Sequence, residues 1–130
     1  MDRRTISEYY TEMANQLIKS EPILSYLDGA PINIIYLEST LRKKGNGKIT
    51  LGECEKVKEK NKWSIPCDFT ITIFAPNVVG MTEDQLKILM MHELMHINKD
   101  YTSAKPHDLE DFKYIVERFG VNWADKGDEV

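Results

Sequence analysis

The residues best suited to chemistry are crowded into one short stretch of the chain. All three histidines of the 130-residue sequence fall between positions 92 and 107, and two of them belong to an HExxH motif, His92 to His96. Residues four apart on a helix lie about 40° apart around its axis, so both imidazoles can bind a single metal ion. Imidazole is a preferred ligand of zinc. The motif therefore predicts one Zn²⁺ per chain, held by His92 and His96.

Glu93, inside the motif, is the residue expected to move protons. A zinc ion acts as a Lewis acid and lowers the pKa of a water molecule toward about 7. A glutamate beside the ligands can take the proton of that water as a general base and then donate it as a general acid. The motif thus predicts hydrolysis, with Glu93 as the catalytic residue. The alternative is a non-catalytic zinc module that contacts a protein or a nucleic acid, which would need a closed site of four ligands.

A catalytic zinc site usually has three protein ligands, so one is still to be assigned. His107, eleven residues after His96, is the strongest choice by ligand preference, because a loop of about nine residues can turn the chain back. Asp108 and Asp111 are rival ligands, and Glu117 is a weaker one. Either aspartate could instead accept a hydrogen bond from a ligand imidazole, an arrangement common around bound metals.

Other residues near the motif are weaker candidates. The metzincin class is excluded, because Lys99 and Thr102 stand where that class has Gly and His. An oxyanion needs a positive charge or a hydroxyl donor beside it, which three side chains could supply. These are Tyr101, Tyr114 and Arg118, although each is more typical of a surface or packing role.

The motif needs a helix, and the sequence before it predicts one. Thr82 and Gln85 match a capping box, in which each side chain satisfies the other's backbone N–H at a helix start. Acidic residues at 83 and 84 suit the positive end of the helix dipole. Apolar residues from Leu86 to Ile97 lie on nearly every side of this helix, so we expect it to be largely buried. Further helices are predicted over 6–18 and from Pro106 to Gly120.

Three strands are predicted beside these helices. Alternating apolar and threonine residues indicate a strand over 68–76. Asn46 and Gly47 are a strong turn signal, so we expect a hairpin between a strand at 34–37 and a return strand at about 49–58. Helices and strands in this order indicate an α+β fold.

Composition limits the class of protein. With 42% hydrophobic and 29% charged residues, the chain is typical of a soluble globular domain. The longest unbroken apolar run, Ile88 to Met91, is far shorter than the roughly 20 residues of a membrane helix. No apolar signal segment follows the N-terminus. Cys54 and Cys67 are too few for a disulfide scaffold, so we expect two reduced thiols in a cytoplasmic protein, with a bridge between them as the alternative.

Charge is unevenly spread along the chain. Residues 42–62 carry eight Lys or Arg and three Glu, whereas residues 81–130 carry six Lys or Arg and eleven Asp or Glu. The acidic part holds the histidines, which suits a cation site. We expect the basic segment to be a solvated hairpin, because lysine-rich edges prevent strands of different molecules from pairing. Nucleic-acid binding by this segment is a weaker expectation, since no recognised motif accompanies it.

Several stretches together resemble the putative phage metallopeptidase family. The likeness covers about residues 50–123, and its most specific part is HELMHI at 92–97 followed by HDLEDF at 107–112. A looser similarity exists to SprT-like domains, and the first 50 residues match no family by inspection. The likeness also includes LGECEKV at 51–57, DFTI at 68–71 and TEDQL at 82–86.

The resemblance implies a zinc-dependent peptidase encoded by a phage or prophage. Its substrate would be a peptide or protein in the host bacterial cytoplasm, and no membrane would be involved. The residues that the resemblance assigns are the zinc ligands His92, His96 and His107 and the catalytic acid and base Glu93.

The implied fold is a small zincin-like single domain over residues 1–130. A short, twisted, mostly antiparallel sheet would pack against the helix of the motif, with N- and C-terminal helices beside it. In zincins an exposed sheet edge commonly pairs with an extended peptide. Residues 124–130 are expected to be a disordered tail.

Overall fold

The computed structural model describes residues 3–45, 48–58, 67–104, 115 and 117–120, and a four-stranded sheet is its framework. Two short 3₁₀ helices, Pro22–Leu27 and Ala75–Asn77, accompany the regular elements. Two α-helices are described over their whole length, α1 Glu8–Ser20 and α2 Glu83–Leu94. In chain order the strands are β1 Arg4–Ile6, β2 Ile34–Ser39, β3 Lys44–Gly45, β4 Lys48–Ile49, β5 Gly52–Lys56 and β6 Phe69–Phe74.

The main sheet is mixed, with the strand order β1-β2-β6-β5. β2 runs parallel to β6, whereas β1 is antiparallel to β2 and β5 is antiparallel to β6. The register places Tyr36 of β2 and Cys54 of β5 on either side of Ile71 in β6. The predicted α+β fold with a mostly antiparallel sheet is therefore confirmed, and its central pair of strands is parallel.

β6 supplies the centre of the core. Its side chains alternate between the two faces of the sheet, and Phe69, Ile71 and Ile73 are almost inaccessible to solvent. They belong to one apolar cluster that includes residues of both helices. Burial of each large apolar side chain stabilises a fold by roughly 1.5–3 kcal/mol, so this cluster anchors α2 against the sheet. The α2 members are Leu89, Met90, Met91 and Leu94.

α1 lies within two residues of its predicted position. The Ser7 hydroxyl caps the helix by accepting a hydrogen bond from the Tyr10 N–H (3.1 Å). The Ser7 N–H donates to the carbonyl of Tyr36 in β2 (2.9 Å). Ile6, which its spacing assigned to the helix, lies instead in β1 and is 67% exposed. Because strand and helix are separated by a single residue here, an apolar pattern alone does not distinguish them.

The predicted hairpin exists, but its strands are shorter and differently paired. β3 and β4 form a separate two-stranded sheet, with Lys44 opposite Ile49. The single return strand expected over 49–58 is wrong, because the chain changes partners after β4 and pairs with β6 as β5. The strand expected at 34–37 is β2, and it does not pair with this return segment, since β6 lies between them.

Asn77 connects this hairpin to the end of β6. Its side chain is 2% exposed, and its Nδ2 donates hydrogen bonds to the carbonyls of Lys43 (2.9 Å) and Thr50 (2.7 Å). The Lys43 ammonium pairs with the carboxylate of Glu53 on β5. Arg42 and other basic side chains of the segment are exposed, as expected for a solvated hairpin.

The remaining expectations lie partly outside the described residues. Ile115 and residues 117–119 are helical, and Ile115 is fully buried, in agreement with a C-terminal helix. The rest of that predicted helix and residues 124–130 are outside the described part. Cys54 and Cys67 are both free thiols. Among the described residues, no helix has the length and apolar character needed to cross a membrane.

Candidate metal centre

The start of α2 is fixed by the capping box that the sequence predicts. The Thr82 hydroxyl accepts a hydrogen bond from the Gln85 N–H (3.2 Å), and Gln85 Oε1 accepts one from the Thr82 N–H (2.8 Å). Glu83 and Asp84 occupy the first turn, where their charges suit the helix dipole. A helix that begins here brings His92 into its last turn.

The HExxH motif crosses the end of this helix. α2 ends at Leu94, although the sequence predicted helix through Ile97. The His96 N–H donates to the Glu93 carbonyl and the Ile97 N–H to the Leu94 carbonyl, both at 3.1 Å, so the chain tightens to i→i−3 bonds. Such a turn keeps the chain on a helical path. The rings of His92 and His96 therefore stay neighbours, with centroids 5.4 Å apart and planes at 82°.

His92, Glu93 and His96 bring three possible ligand atoms together. One atom from each side chain lies within 4.8 Å of the other two. Across the part of the chain that the structure describes, this is the one such group of three or more His, Cys, Asp or Glu side chains. Both histidines are half-buried, which leaves a path from solvent to the cluster.

Glu93 is a buried carboxyl group. Only 4% of its surface is exposed, and its Oε1 accepts no hydrogen bond from the described residues. Burial raises the pKa of Glu93 to about 8, and the negative charge of Glu53 adds to the rise. An ionised carboxylate in such surroundings is costly unless a positive charge lies beside it. A cation bound by the two imidazoles would supply that charge and would lower the pKa of Glu93 again.

Strand β5 forms the wall beside Glu93. A methyl group placed on Gly52 would lie 3.4 Å from Glu93 Cγ, 3.1 Å from Ile73 Cδ1 and 3.2 Å from the Thr72 carbonyl oxygen. Two residues along the strand, burial raises the pKa of the Cys54 thiol, and the charge of Glu93 contributes. The sequence patterns did not identify this wall, because residue spacing does not reveal which strand packs against the helix. The likeness of the surrounding segment to a family was the available signal.

β5 is also an edge of the main sheet. The Leu51 carbonyl accepts from the Phe74 N–H, and the Val57 N–H donates to the Asp68 carbonyl, so these residues and those alternating with them face β6. The intervening residues direct their backbone N–H and C=O groups away from β6, where no described strand pairs with them. This open edge therefore belongs to the same strand that packs against Glu93. Its outward-facing residues are Gly52, Cys54 and Lys56.

The other residues predicted for the site are only partly described. Glu117 is exposed and does not join the cluster. The Tyr101 hydroxyl donates to the Tyr26 carbonyl, and the Arg118 guanidinium pairs with the Glu21 carboxylate, so both candidate oxyanion donors have other partners. Four further candidates, His107, Asp108, Asp111 and Tyr114, lie outside the described residues.

A cavity of about 290 Å³ lies beside α2. None of His92, Glu93 and His96 is among the residues that line it. It is lined by Leu17, Glu21, Asp84, Lys87, Ile88, Met91, Arg118 and Phe119.

The side chains of the cluster fit a bound cation. Two imidazoles and a nearby carboxylate are donor types that zinc takes in proteins. Glu93 Oε1, which accepts no hydrogen bond from the described residues, would offer negative charge beside them. His92 and His96 would hold the ion.

These features define a small α+β protein with a candidate metal site at the end of a buried helix, beside an open sheet edge. The chain belongs to the putative phage metallopeptidase family, whose family model matches residues 3–130. This match confirms the resemblance and extends it over the first 50 residues. No curated protein and no solved structure matches the chain.

Proposed function

We propose that this protein is a zinc-dependent metallopeptidase, with His92, His96 and His107 as ligands and Glu93 as the catalytic residue. The observation that carries the proposal is the placement of the Glu93 carboxylate. It is buried, its Oε1 accepts no hydrogen bond from the described residues, and this oxygen lies 3.9 Å from Nε2 of His96. A carboxyl group held beside two imidazoles is suited to proton transfer at a metal site. Membership of the family supports a peptide bond as the target.

The path of the chain after the motif supports His107 as the third ligand. Ile97 and Ala104 form an antiparallel bridge, so the chain returns to the end of α2 soon after leaving it. The three residues that follow span at most about 11 Å, which keeps His107 within reach of the cluster. Asp108 and Asp111 are the alternatives, either as ligands or as acceptors of an imidazole N–H.

Glu93 carries the proton in this mechanism. When bound, zinc supplies Lewis acidity, which polarises the substrate carbonyl and makes water more acidic. The Glu93 carboxylate takes the proton of the attacking water and delivers it to the amine as the C–N bond breaks. Burial raises the pKa of Glu93 and a nearby cation lowers it. These opposing effects suit a group that first accepts and then donates a proton.

The open edge of β5 supports an extended peptide as the substrate. A peptide in strand conformation can hydrogen-bond to the unpaired backbone groups of a sheet edge. The outward-facing groups of Gly52 and Cys54 lie on the strand that packs against Glu93. A peptide bound there would run past the cluster with its carbonyls presented in regular order.

The test is peptide cleavage by the full-length Glu93→Gln variant, assayed beside the wild type on a library of quenched fluorescent peptides. Glutamine keeps the size of the side chain and cannot accept the proton. Zinc content should therefore stay at about one ion per chain, while cleavage falls at least about 100-fold. The matched control is Glu83→Gln, an exposed residue of the same helix, which should cleave as the wild type does.

Two outcomes would count against the proposal. Full cleavage by Glu93→Gln would remove Glu93 from the mechanism. A wild-type protein that binds zinc tightly but cleaves no peptide in the library would favour the non-catalytic zinc module instead.

A further inference from the structure

A tyrosine far away in sequence holds the end of α2. Tyr26, in the 3₁₀ helix Pro22–Leu27, donates its hydroxyl hydrogen to the Ile97 carbonyl (2.6 Å), and the Leu94 carbonyl lies 3.4 Å from the same hydroxyl oxygen. The Ile97 carbonyl lies three residues beyond the end of α2, and Tyr26 supplies its hydrogen-bond donor. The two carbonyls lie on either side of the turn that carries His96.

Tyr101 completes this arrangement from the other side. Its hydroxyl donates to the backbone carbonyl of Tyr26, and the two rings stack with centroids 6.4 Å apart and planes at 18°. Tyr101 has a φ of 61°, in the left-handed region that an aromatic residue adopts only at a cost in free energy. Its contacts with Tyr26 offset that cost. We name Tyr26 and Tyr101 the tyrosine clamp, because each hydroxyl binds the backbone of the segment opposite.

The turn that carries Tyr101 is itself closed by hydrogen bonds. Asn98 Oδ1 accepts from the N–H groups of Thr102 (2.8 Å) and Ser103 (3.1 Å), and Asn98 Nδ2 donates to the Thr102 hydroxyl (2.8 Å). The Asn98 N–H donates to the Ser103 carbonyl (3.2 Å), and the Tyr101 N–H to the Asn98 carbonyl (3.0 Å). The tyrosine clamp therefore acts on a cross-linked turn that begins directly after the histidine cluster.

We propose that Tyr26 and Tyr101 are positioning residues of the metal site. This inference rests on the proposed function, since it takes His96 to be a ligand. His96 lies beyond the last residue of α2, so the regular helix does not hold it. Fixing the backbone on both sides of His96 fixes the direction in which its imidazole points. A ligand held in advance loses less conformational freedom on binding, and the metal is bound more tightly.

The test uses the full-length chain with Tyr26→Phe and with Tyr101→Phe, each of which removes a hydroxyl and keeps the ring. Zinc affinity is measured by competition with a chromophoric chelator, and ligand geometry by the absorption spectrum of the Co²⁺ form. Each variant should bind zinc about tenfold more weakly. In metal-free protein the amide protons of His96 and Ile97 should exchange about tenfold faster, because the turn opens more often. Tyr9→Phe, at an exposed ring of α1, is the control and should change neither quantity.

Three results would overturn the inference. Wild-type zinc affinity and amide exchange in both variants would mean that the tyrosine clamp holds nothing at the site. Faster exchange with unchanged zinc affinity and an unchanged cobalt spectrum would limit the clamp to a role in the fold. A wild-type protein that binds no zinc would refute the proposed function as well, whereas the first two results leave that function intact.

Discussion

Gly52 of β5 lies directly against Glu93 of α2. A Cβ built on Gly52 would be 3.4 Å from Glu93 Cγ and 3.2 Å from the carbonyl oxygen of Thr72. The backbone oxygen belongs to β6 and cannot move aside without shifting that strand. The missing side chain thus allows β5 to cover the Glu93 carboxyl group closely. The surroundings of Glu93, the proposed catalytic residue, therefore depend on Gly52, which has no side chain that could react.

Gly52→Ala should lower both stability and activity. Forcing a methyl group against Ile73 and the Thr72 carbonyl costs about 1–3 kcal/mol, and the resulting shift of β5 beside Glu93 should reduce peptide cleavage at least about tenfold. Urea unfolding and kcat/KM on the same preparation give the two quantities.

Gly29→Ala is the matched control for this substitution. Gly29 has a φ of 70°, and an added Cβ there would meet no atom within 4 Å. Alanine should therefore cost about 1–2 kcal/mol through backbone strain alone. Its activity should match the wild type. Equal activities of the Gly52 and Gly29 variants would contradict the assigned role of the Gly52 contact.

Asn77→Ala should detach the hairpin from the end of β6. The substitution removes the donor of two part-buried hydrogen bonds and leaves the carbonyl oxygens of Lys43 and Thr50 with fewer partners. Loss of such bonds costs about 1–3 kcal/mol, to be read from urea unfolding. Asn33→Ala, at an exposed position, should change stability by less than about 0.5 kcal/mol. Asn77→Ala with wild-type stability would show that water replaces the amide without loss.

The thiol of Cys54 should report the charge of Glu93. Burial raises the pKa of Cys54, and the negative charge of Glu93 contributes to the rise. Removing that charge in Glu93→Gln should therefore increase the thiolate fraction at pH 8.5 and speed alkylation by iodoacetamide in metal-free protein. Buried Cys67 is the internal control in the same mass-spectrometric assay. An unchanged rate at Cys54 would contradict the proximity, and fewer than two thiols in denatured, unreduced protein would contradict the free cysteines.

Tyr10 should contribute to the loss of stability at high pH. Burial raises its pKa from 10 to about 12, with a smaller contribution from the charge of Glu38. The folded state therefore holds the proton more tightly than the unfolded state does. This contribution is complete below about pH 10 and is lost as the pH rises through about 12. Tyr10→Phe should lose less stability than the wild type between pH 8 and pH 11.5 in urea unfolding, and identical losses would contradict this assignment.

Local sequence patterns predicted the helix and the strand at the site. They did not predict which distant residues contact these elements. The capping box at Thr82 and the alternation along 69–74 each depend on residues close in sequence, and both predictions are confirmed. The apolar pattern predicts a helix through Ile97, because a 3₁₀ turn keeps buried residues at similar spacing. The Ile97 carbonyl is bound by Tyr26, 71 residues away, which no local pattern contains.

Local sequence patterns did not predict which strands pair with one another. The turn signal at Asn46–Gly47 correctly predicted a hairpin, but period-two alternation identifies a strand without identifying its partners. β6 pairs with β2 and β5. Its central position depends on the apolar core that residues of several elements form together. For the same reason, the approach of Gly52 to Glu93 became visible only in three dimensions.

His107→Ala should abolish tight zinc binding. The bridge between Ile97 and Ala104 returns the chain to the end of α2, and the three residues from there to His107 can span at most about 11 Å. Loss of a direct ligand should weaken zinc affinity beyond the roughly 10–100-fold effect of outer hydrogen-bond partners. Asp111→Asn should stay within that smaller range if its carboxylate accepts an imidazole N–H. Exposed Asp100→Asn is the control in the chelator competition. The contradicting result would be wild-type zinc affinity in His107→Ala together with a large loss of affinity in Asp111→Ala. The third ligand would then be a carboxylate, and an HExxH site completed by a carboxylate would replace the three-histidine site proposed for this chain.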